Sequence, residues 1–342
     1  MSSLYHQSYL LLQQAVDAVH GRRILLCPLN WGLGHATRCV PIVKALLKAG
    51  KEVVIAADGL PLAFFQQEFG NLPTVRFAGI EGRYSRRQSQ AGAMLRQLPY
   101  FLFAVIREHR QLKRLVEAHH IDTVISDNRF GCWLKSCESI YITHQLMVKM
   151  PGRWLETIVH RLHHAIIIQY NACWIPDMPS VEDSLSGDLS HRYPLPANGR
   201  FIGILSRFEP TEVVVPAVCR AVAILSGPEP QRTLLEEKLI ARWENKHTPL
   251  LIVSGKLLDD SRCQQSCGRN ITLVSHLTTA ELAALLASDA EIYCRSGYST
   301  LMDLACLGRT ATLIPTPGQT EQIYLAELAE KRGFRVIRQE DL

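Results

Sequence analysis

Apolar residues along the 342-residue chain come in short runs, each closed by a polar loop and followed by a stretch with helical spacing. Runs at 23–27, 53–57, 123–126 and 140–143, with a weaker one near Val75, read as strands of a first half that a last strand at 201–205 closes. Runs at 221–225, 250–253, 271–274, 290–294 and 310–314 read as strands of a second half. Helical spacing is found at 4–20, from the loop 28–38 to Ala49, at 60–69, at 91–119 where Pro99 must kink or split the helix, up to Trp243, at 300–307 and up to Arg332. Near-continuous apolar strands alternating with helices predict parallel sheets covered on both faces, hence an α/β chain of two Rossmann-like, doubly wound domains facing across a cleft. Residues 177–198 are rich in Pro, Ser, Gly and Asp, a loop composition, and Glu209-Pro210 begins a linker, so the domains divide as 1–208 and 209–342.

Polar loops at the strand ends carry the candidate chemistry. The strand at 290–294 opens into Arg295-Ser296-Gly297, and the helix after it starts at Ser299 and Thr300, carries Asp303 one turn on and stops at Gly308. Such a turn is an anion site, because backbone N–H groups and the positive end of the helix dipole meet there and glycine lets a phosphate approach. The plainer alternative is a turn whose hydroxyls cap the helix. The same unit follows at once, with strand 310–314, a loop holding Gln319, Glu321 and Gln322, and another helix. Ser226-Gly227 with Arg232 makes a third phosphate-capable loop, Gly255 ends strand 250–253, and His276-Leu277 follow strand 271–274. In the first half, Gly32 and Gly34 allow close backbone approach, His35 stands at the helix start and Arg38 follows it. An imidazole there either accepts a proton near neutral pH or caps the helix. Asp127-Asn128 and His144 end two strands on the same sheet edge; Asp127 either orients an imidazole as the acid of a triad does or caps a turn.

The order Arg295-Ser296-Gly297, Thr300, Asp303, Gly308, a Pro-rich turn, Gln322 and Ala326 resembles the nucleotide-sugar signature of GT-B glycosyltransferases. The likeness is greatest to family 28, which includes the transferase that adds N-acetylglucosamine to the lipid-linked muropeptide. Leu325 departs from it, standing where that family often carries Asn. The run Gly32-Leu33-Gly34-His35-Ala36-Thr37-Arg38-Cys39 resembles the acceptor-side glycine loop of the same enzymes, and also the corresponding loop of the nucleotide-sugar hydrolase of the pseudaminic acid pathway, where water is the acceptor. The resemblance implies an inverting hexosyltransferase with a UDP-sugar donor and puts His35 at the reaction centre; the residues themselves add Asp127 as its catalytic partner, and no metal or cofactor is expected. Substrate contacts would run through Gly32, Gly34, Arg38, Asn128 and His144 in the first half. In the second they would run through Ser226, Gly227, Arg232, Gly255, His276, Leu277, Arg295, Ser296, Gly297, Ser299, Thr300, Asp303, Gln319, Glu321 and Gln322, with Arg232 or Arg295 as the cation at the diphosphate. The acceptor would be a lipid-linked or small-molecule hydroxyl. A hydrolase and a nucleotide-sugar-binding module without turnover are the two alternatives.

Composition narrows the partners. Hydrophobic residues make up 47%, charged residues 20%, and the net charge is only +5, which excludes a disordered chain and a nucleic-acid binder. No stretch approaches a membrane span and no secretory leader opens the chain, so the expectation is cytoplasmic. The ten cysteines lack paired CxxC spacing and read as reduced core residues rather than a zinc site. The loop at Gly32 lacks the third glycine and the acidic ribose residue of a dinucleotide site, which excludes NAD. His160, His163 and His164 have partial metal-ligand spacing without a carboxylate, better explained by a packed helix, and no Asp-x-Asp element is present. Met94, Leu95, Leu98 and 100–103, beside five arginines from Arg83 to Arg107, read either as core with a solvated basic face or as a peripheral contact with anionic lipid at the inner face of a membrane. Many GT-B chains send a last helix back onto the first domain; here the segment 334–342 stops short, and helix 4–20 is the alternative for that packing.

Overall fold

Runs such as Ile24-Leu25-Leu26-Cys27 and Val53-Val54-Ile55 are buried along their whole length, as expected of strands covered on both faces. The computed structural model describes residues 2–79, 98–150, 152–210, 219–227, 229–256, 264–266 and 270–342. These fall into two units, one up to Ser206 and one from Arg207 onward.

The first unit is built on seven strands, β1 (Arg23–Pro28), β2 (Glu52–Ala57), β3 (Thr74–Arg76), β4 (Thr123–Asp127), β5 (Glu138–Ile142), β6 (Ala172–Ile175) and β7 (Gly199–Phe201). Their order is β3-β2-β1-β4-β5-β6-β7, and every pair is parallel. Helices α1 (Ser2–Asp17), α2 (Leu33–Lys48), α3 (Gly59–Glu68), α4 (Leu98–His119), α5 (Arg153–Ile167) and the single turn α6 (Asp188–His191) complete it. One core gathers Leu25, Val54 and Val124 from strands, Phe77 just past β3, and Leu112 from α4. Pro99 sits in the first turn of α4, and the part of the expected stretch before it, 91–97, lies outside the described residues. The closing strand expected at 201–205 lies earlier, at Gly199–Phe201, because its partner is β6, a four-residue strand with no alternation to announce it. After it the chain passes under α1, where Gly203 at φ 78° would bring a side chain to 2.4 Å from the Ser8 Cα. Ser8 Oγ accepts from Ile204 N there, so helix 4–20 is packed within the first unit.

The second unit repeats the plan with β8 (Ala221–Ile224), β9 (Leu250–Val253), β10 (Gln264–Ser266), β11 (Ile271–Val274), β12 (Glu291–Cys294), β13 (Thr312–Leu313) and β14 (Arg335–Val336), ordered β10-β11-β9-β8-β12-β13-β14. Six strands run parallel, and β10 is an antiparallel edge. Helices α7 (Gln231–Trp243), α8 (Thr279–Ala287), α9 (Tyr298–Leu307) and α10 (Thr320–Glu330) join them. Strand order reverses at β1/β4 in the first sheet and at β8/β12 in the second, and the carboxyl edge at such a point is where doubly wound sheets take ligands.

Among the described residues no helix is long and apolar enough to cross a membrane, and no group of three or more His, Cys, Asp or Glu is placed to hold a metal. Cys27, Cys39, Cys132, Cys173 and Cys294 are buried free thiols, whereas Cys263 and Cys267 lie outside the described residues. So do Arg83, Arg86, Arg87 and the side chains of 94–102; from that stripe only Phe103 is described, and it is exposed. The His160 group is dispersed into packing. His160 stacks on Tyr193 and shares a hydrogen bond with the Leu146 carbonyl, and His163 is buried against Tyr141.

Candidate active site

Register brings the first cluster together. Pro28 at the end of β1 pairs with Asp127 at the end of β4, so the loop leaving β1 passes beside that carboxylate. Gly32 turns the chain at φ 91° and starts α2, putting His35 and Arg38 on one face of its first turns. Gly32, not His35, occupies the N-cap, and no side chain caps the helix, so the capping role considered for His35 is not the one it takes. The His35 Nδ1 lies 3.1 Å from Asp127 Oδ2, with the ring side chain 17% exposed. Asp127 is fully buried. Arg38 Nε donates to its Oδ2 at 2.9 Å, and Arg38 Nη2 to its Oδ1. The same guanidinium reaches His35 Nδ1 at 2.9 Å and His144 Nδ1 at 3.3 Å. Expected as a substrate contact, Arg38 is 3% exposed and bound to Asp127. Burial raises the Asp127 pKa, but the Arg38 charge and His35 outweigh it and hold the carboxyl far below the usual carboxylate range. His35 is lowered, chiefly by burial and then by Arg38, against the raising effect of Asp127.

Asn128, next in the chain, adopts φ 55° and accepts from Tyr141 Oη at 2.8 Å. Because that hydroxyl proton is spent, His163 Nε2 at 3.0 Å is the donor to Tyr141. Beyond β6, a loop is held by the buried Asp177. Its carboxylate accepts from the hydroxyls of Ser184, Ser186 and Ser190 at 2.6, 2.5 and 2.9 Å and from the backbone N–H groups of Met178 and Leu185. The Leu189 carbonyl accepts from Met147 N, tying this loop to the one after β5.

In the second unit, Gly297 is the N-cap of α9 and Gly308 closes it in the left-handed conformation. Arg295, expected as a cation for a diphosphate, is instead a buried strut. Its guanidinium donates to the carbonyls of Ile314, Pro315 and Gln231, and burial lowers its pKa to about 10. Ser296 Oγ donates to the Gln322 carbonyl at 2.7 Å, while Gln322 Oε1 accepts from Thr316 N, so these two expected contacts join the neighbouring loops to each other. Arg232, 14% exposed, holds the Gly255 carbonyl and Glu229. Gly227 at φ 95° has open space where a side chain would stand. Ser299, Thr300, Asp303, Gln319 and Glu321 are half-buried on this edge, and His276 contacts Ser275 Oγ. Gln231 Oε1, Thr316 Oγ1 and Gln319 Oε1 are buried acceptors without a protein partner. A ligand with hydroxyl or amide donors fits such a set, since an unpaired buried acceptor is costly. Gln231 and Thr316 were not singled out from sequence, where a Gln after Pro and a Thr between prolines look like ordinary turn residues.

No protein-family model matches the chain. It is similar to an uncharacterized glycosyltransferase of Methanosarcina mazei, 20% identical over 329 residues, which covers 91% of this chain and 84% of that protein. A 65-residue segment is 40% identical to the UDP-N-acetylglucosamine--N-acetylmuramyl-(pentapeptide) pyrophosphoryl-undecaprenol N-acetylglucosamine transferase of Sinorhizobium fredii, covering 18% of this chain and 17% of that protein. Among solved structures, MurG of Acinetobacter baumannii matches with a TM-score of 0.52 at 14% identity over 94% of this chain and 86% of that one. The fold is GT-B, as in MurG, and the sequence is similar to glycosyltransferases along most of its length.

Proposed function

We propose that the protein is an inverting glycosyltransferase that moves a sugar from a nucleotide-sugar, a UDP-sugar, to an acceptor hydroxyl. The observation that carries this reading is the His35–Asp127 pair, 3.1 Å apart at the carboxyl edge of the first sheet. With Nδ1 turned to Asp127, the imidazole keeps Nε2 as a proton acceptor. In a single displacement the acceptor hydroxyl gives its proton to Nε2 as its oxygen forms the new bond to the anomeric carbon, and the bond from that carbon to the diphosphate breaks with its electron pair leaving on UDP. The leaving diphosphate is assigned to the loops at Gly227 and Gly297, where a helix dipole and Arg232 offset the charge without a metal. The unpartnered oxygens of Gln231, Thr316 and Gln319 suit a donor rich in hydroxyls. A UDP donor is in keeping with the Sinorhizobium relative, named for UDP-N-acetylglucosamine and a lipid-linked acceptor. A lipid-linked acceptor and a peripheral place at the membrane's inner face belong to the same proposal.

Purified protein incubated with labelled UDP-N-acetylhexosamines, with and without a cell lipid extract and in the presence of EDTA, tests it. The expected result is UDP release that needs the extract, with label moving into lipid, and a loss of about a hundredfold or more in His35→Ala at unchanged UDP affinity. Free sugar formed without extract identifies the hydrolase, which shares the loop around His35. UDP binding without any product overturns the catalytic reading, and full loss in EDTA restored by manganese points to a metal, with Asp259-Asp260, outside the described residues, as the first place to look.

A further inference from the structure

On the reading of His35 as the base, we propose that Arg38 is the positioning residue that sets its proton affinity, by pairing the Asp127 carboxylate and standing at the same ring nitrogen. His35 Nδ1 lies 2.9 Å from Arg38 Nη2 and 3.1 Å from Asp127 Oδ2. A guanidinium only donates and a carboxylate only accepts. A proton on Nδ1 therefore meets Asp127 favourably and Arg38 unfavourably, and in the imidazolium, where Nδ1 must be protonated, that opposition cannot be relieved by moving the proton. An unpaired Asp127 at this distance would bind the imidazolium strongly. Here both of its oxygens are already taken by Arg38 Nε and Nη2.

The groups facing His35 come from three elements. Arg38 and Cys39 lie on α2, Asp127 ends β4 and His144 follows β5. The Cys39 thiol donates to Asp127 and burial keeps it protonated, so it adds no charge. His144 Nδ1 lies 3.3 Å from Arg38 Nη1, at the other terminal nitrogen of the guanidinium. Arg38 is thus fixed by Asp127 and His144 with its charge against His35. The consequence is a ring that stays neutral well into mildly acidic solution, where an ordinary histidine–aspartate pair would already be charged; the neutral form with its proton on Nδ1, held to Asp127, is the one that serves as the base.

Nitrogen-15 NMR of histidine-labelled protein tests this without turnover, with His35 assigned from the signal lost in His35→Gln. The expected His35 midpoint lies below the ordinary histidine range of about 6.5. It should rise by about one pH unit or more in Arg38→Met, which leaves Asp127 unopposed. The acidic limb of kcat/KM should move up with it, and Arg38→Lys, which keeps the charge but not the fork, should fall between. Arg38→Met combined with Asp127→Asn removes both charges and should return the midpoint to the wild-type side; this variant also covers the case in which the single change, leaving a buried charge alone, does not fold. A midpoint unmoved or lowered in Arg38→Met, or a double variant whose midpoint rises, overturns the proposal. The expected NMR shifts in a protein that makes no product uphold the role of Arg38 in setting the ring's charge and sink the transferase reading instead.

Discussion

His163 shows how a buried imidazole couples this fold to pH. Burial lowers its pKa to about 4, and its Nε2–H is used on Tyr141, which in turn holds Asn128 beside Asp127. A folded pKa below the unfolded value means that its contribution is complete above about 6.5 and is lost as pH falls from there toward 4, with a full extent on the order of 3 kcal/mol. We therefore expect denaturant unfolding to show less stability at pH 4.5 than at pH 7, and His163→Phe to lose a distinctly smaller amount over the same interval. An equal loss in both proteins would place the acid sensitivity elsewhere. At this scale the sequence was legible where chemistry is local. His35 in a glycine loop and Asp127 at a strand end were visible, because a loop after a buried strand has only one edge to open on. The role of Arg38 was not, since its carboxylate partner is 89 residues away and nothing in a motif tells whether a guanidinium will face a ligand or an aspartate. The place of Arg295 is hidden in the sequence for the same reason. Its partners are carbonyls of two other loops.

Among the described elements, α5 carries a run of exposed apolar residues along its outer face. Trp154, Ile158 and Leu162 are 69%, 45% and 64% exposed and stand four residues apart on one stripe, with Arg153 and Arg161 exposed beside them. The opposite side is core, burying Glu156, His163 and Ile167. On α4, exposed Phe103 and Ile106 stand with exposed Arg107 and Arg110. Apolar residues bordered by arginines suit an anionic lipid surface. If the acceptor is lipid-linked, the protein should sediment with phosphatidylglycerol vesicles in a salt-sensitive manner, and Trp154→Ser with Leu162→Ser should weaken that binding by about tenfold or more while leaving UDP binding intact. Equal sedimentation of the variant would remove this helix from any membrane contact. The stripe could be read from sequence as helical, but not as outward-facing, because both sides of α5 carry apolar residues and only packing decides between them. Strand β6 was missed on similar grounds: four residues bounded by a helix and a turn have no period to measure.

At the scale of the whole molecule, two sheets repeat one wiring, with the strand order reversing at β1/β4 and at β8/β12. That much followed from alternating buried runs and helical stretches, which admit few arrangements other than doubly wound sheets. A ligand bound by one unit stabilises that unit first, in proportion to its concentration over its Kd. UDP should therefore slow hydrogen exchange in 219–342 around the loops at Gly227, Gly297 and Gln319, and do so far more than NAD or ATP. Asp303→Ala should reduce the effect through a lost hydroxyl contact. Protection spread evenly over both units, or equal protection by all three nucleotides, would refute the donor assignment.

The loop pinned by Asp177 has a consequence for the handling of the protein. By composition, 177–190 advertises slack chain, the kind of serine-rich segment that proteases nick and kinases modify. Folded, it keeps Ser184, Ser186 and Ser190 from a kinase, since their hydroxyls all converge on one buried carboxylate, while 181–183 stay exposed. An enzyme needing 184–190 as an extended substrate strand would have to break that whole cluster first.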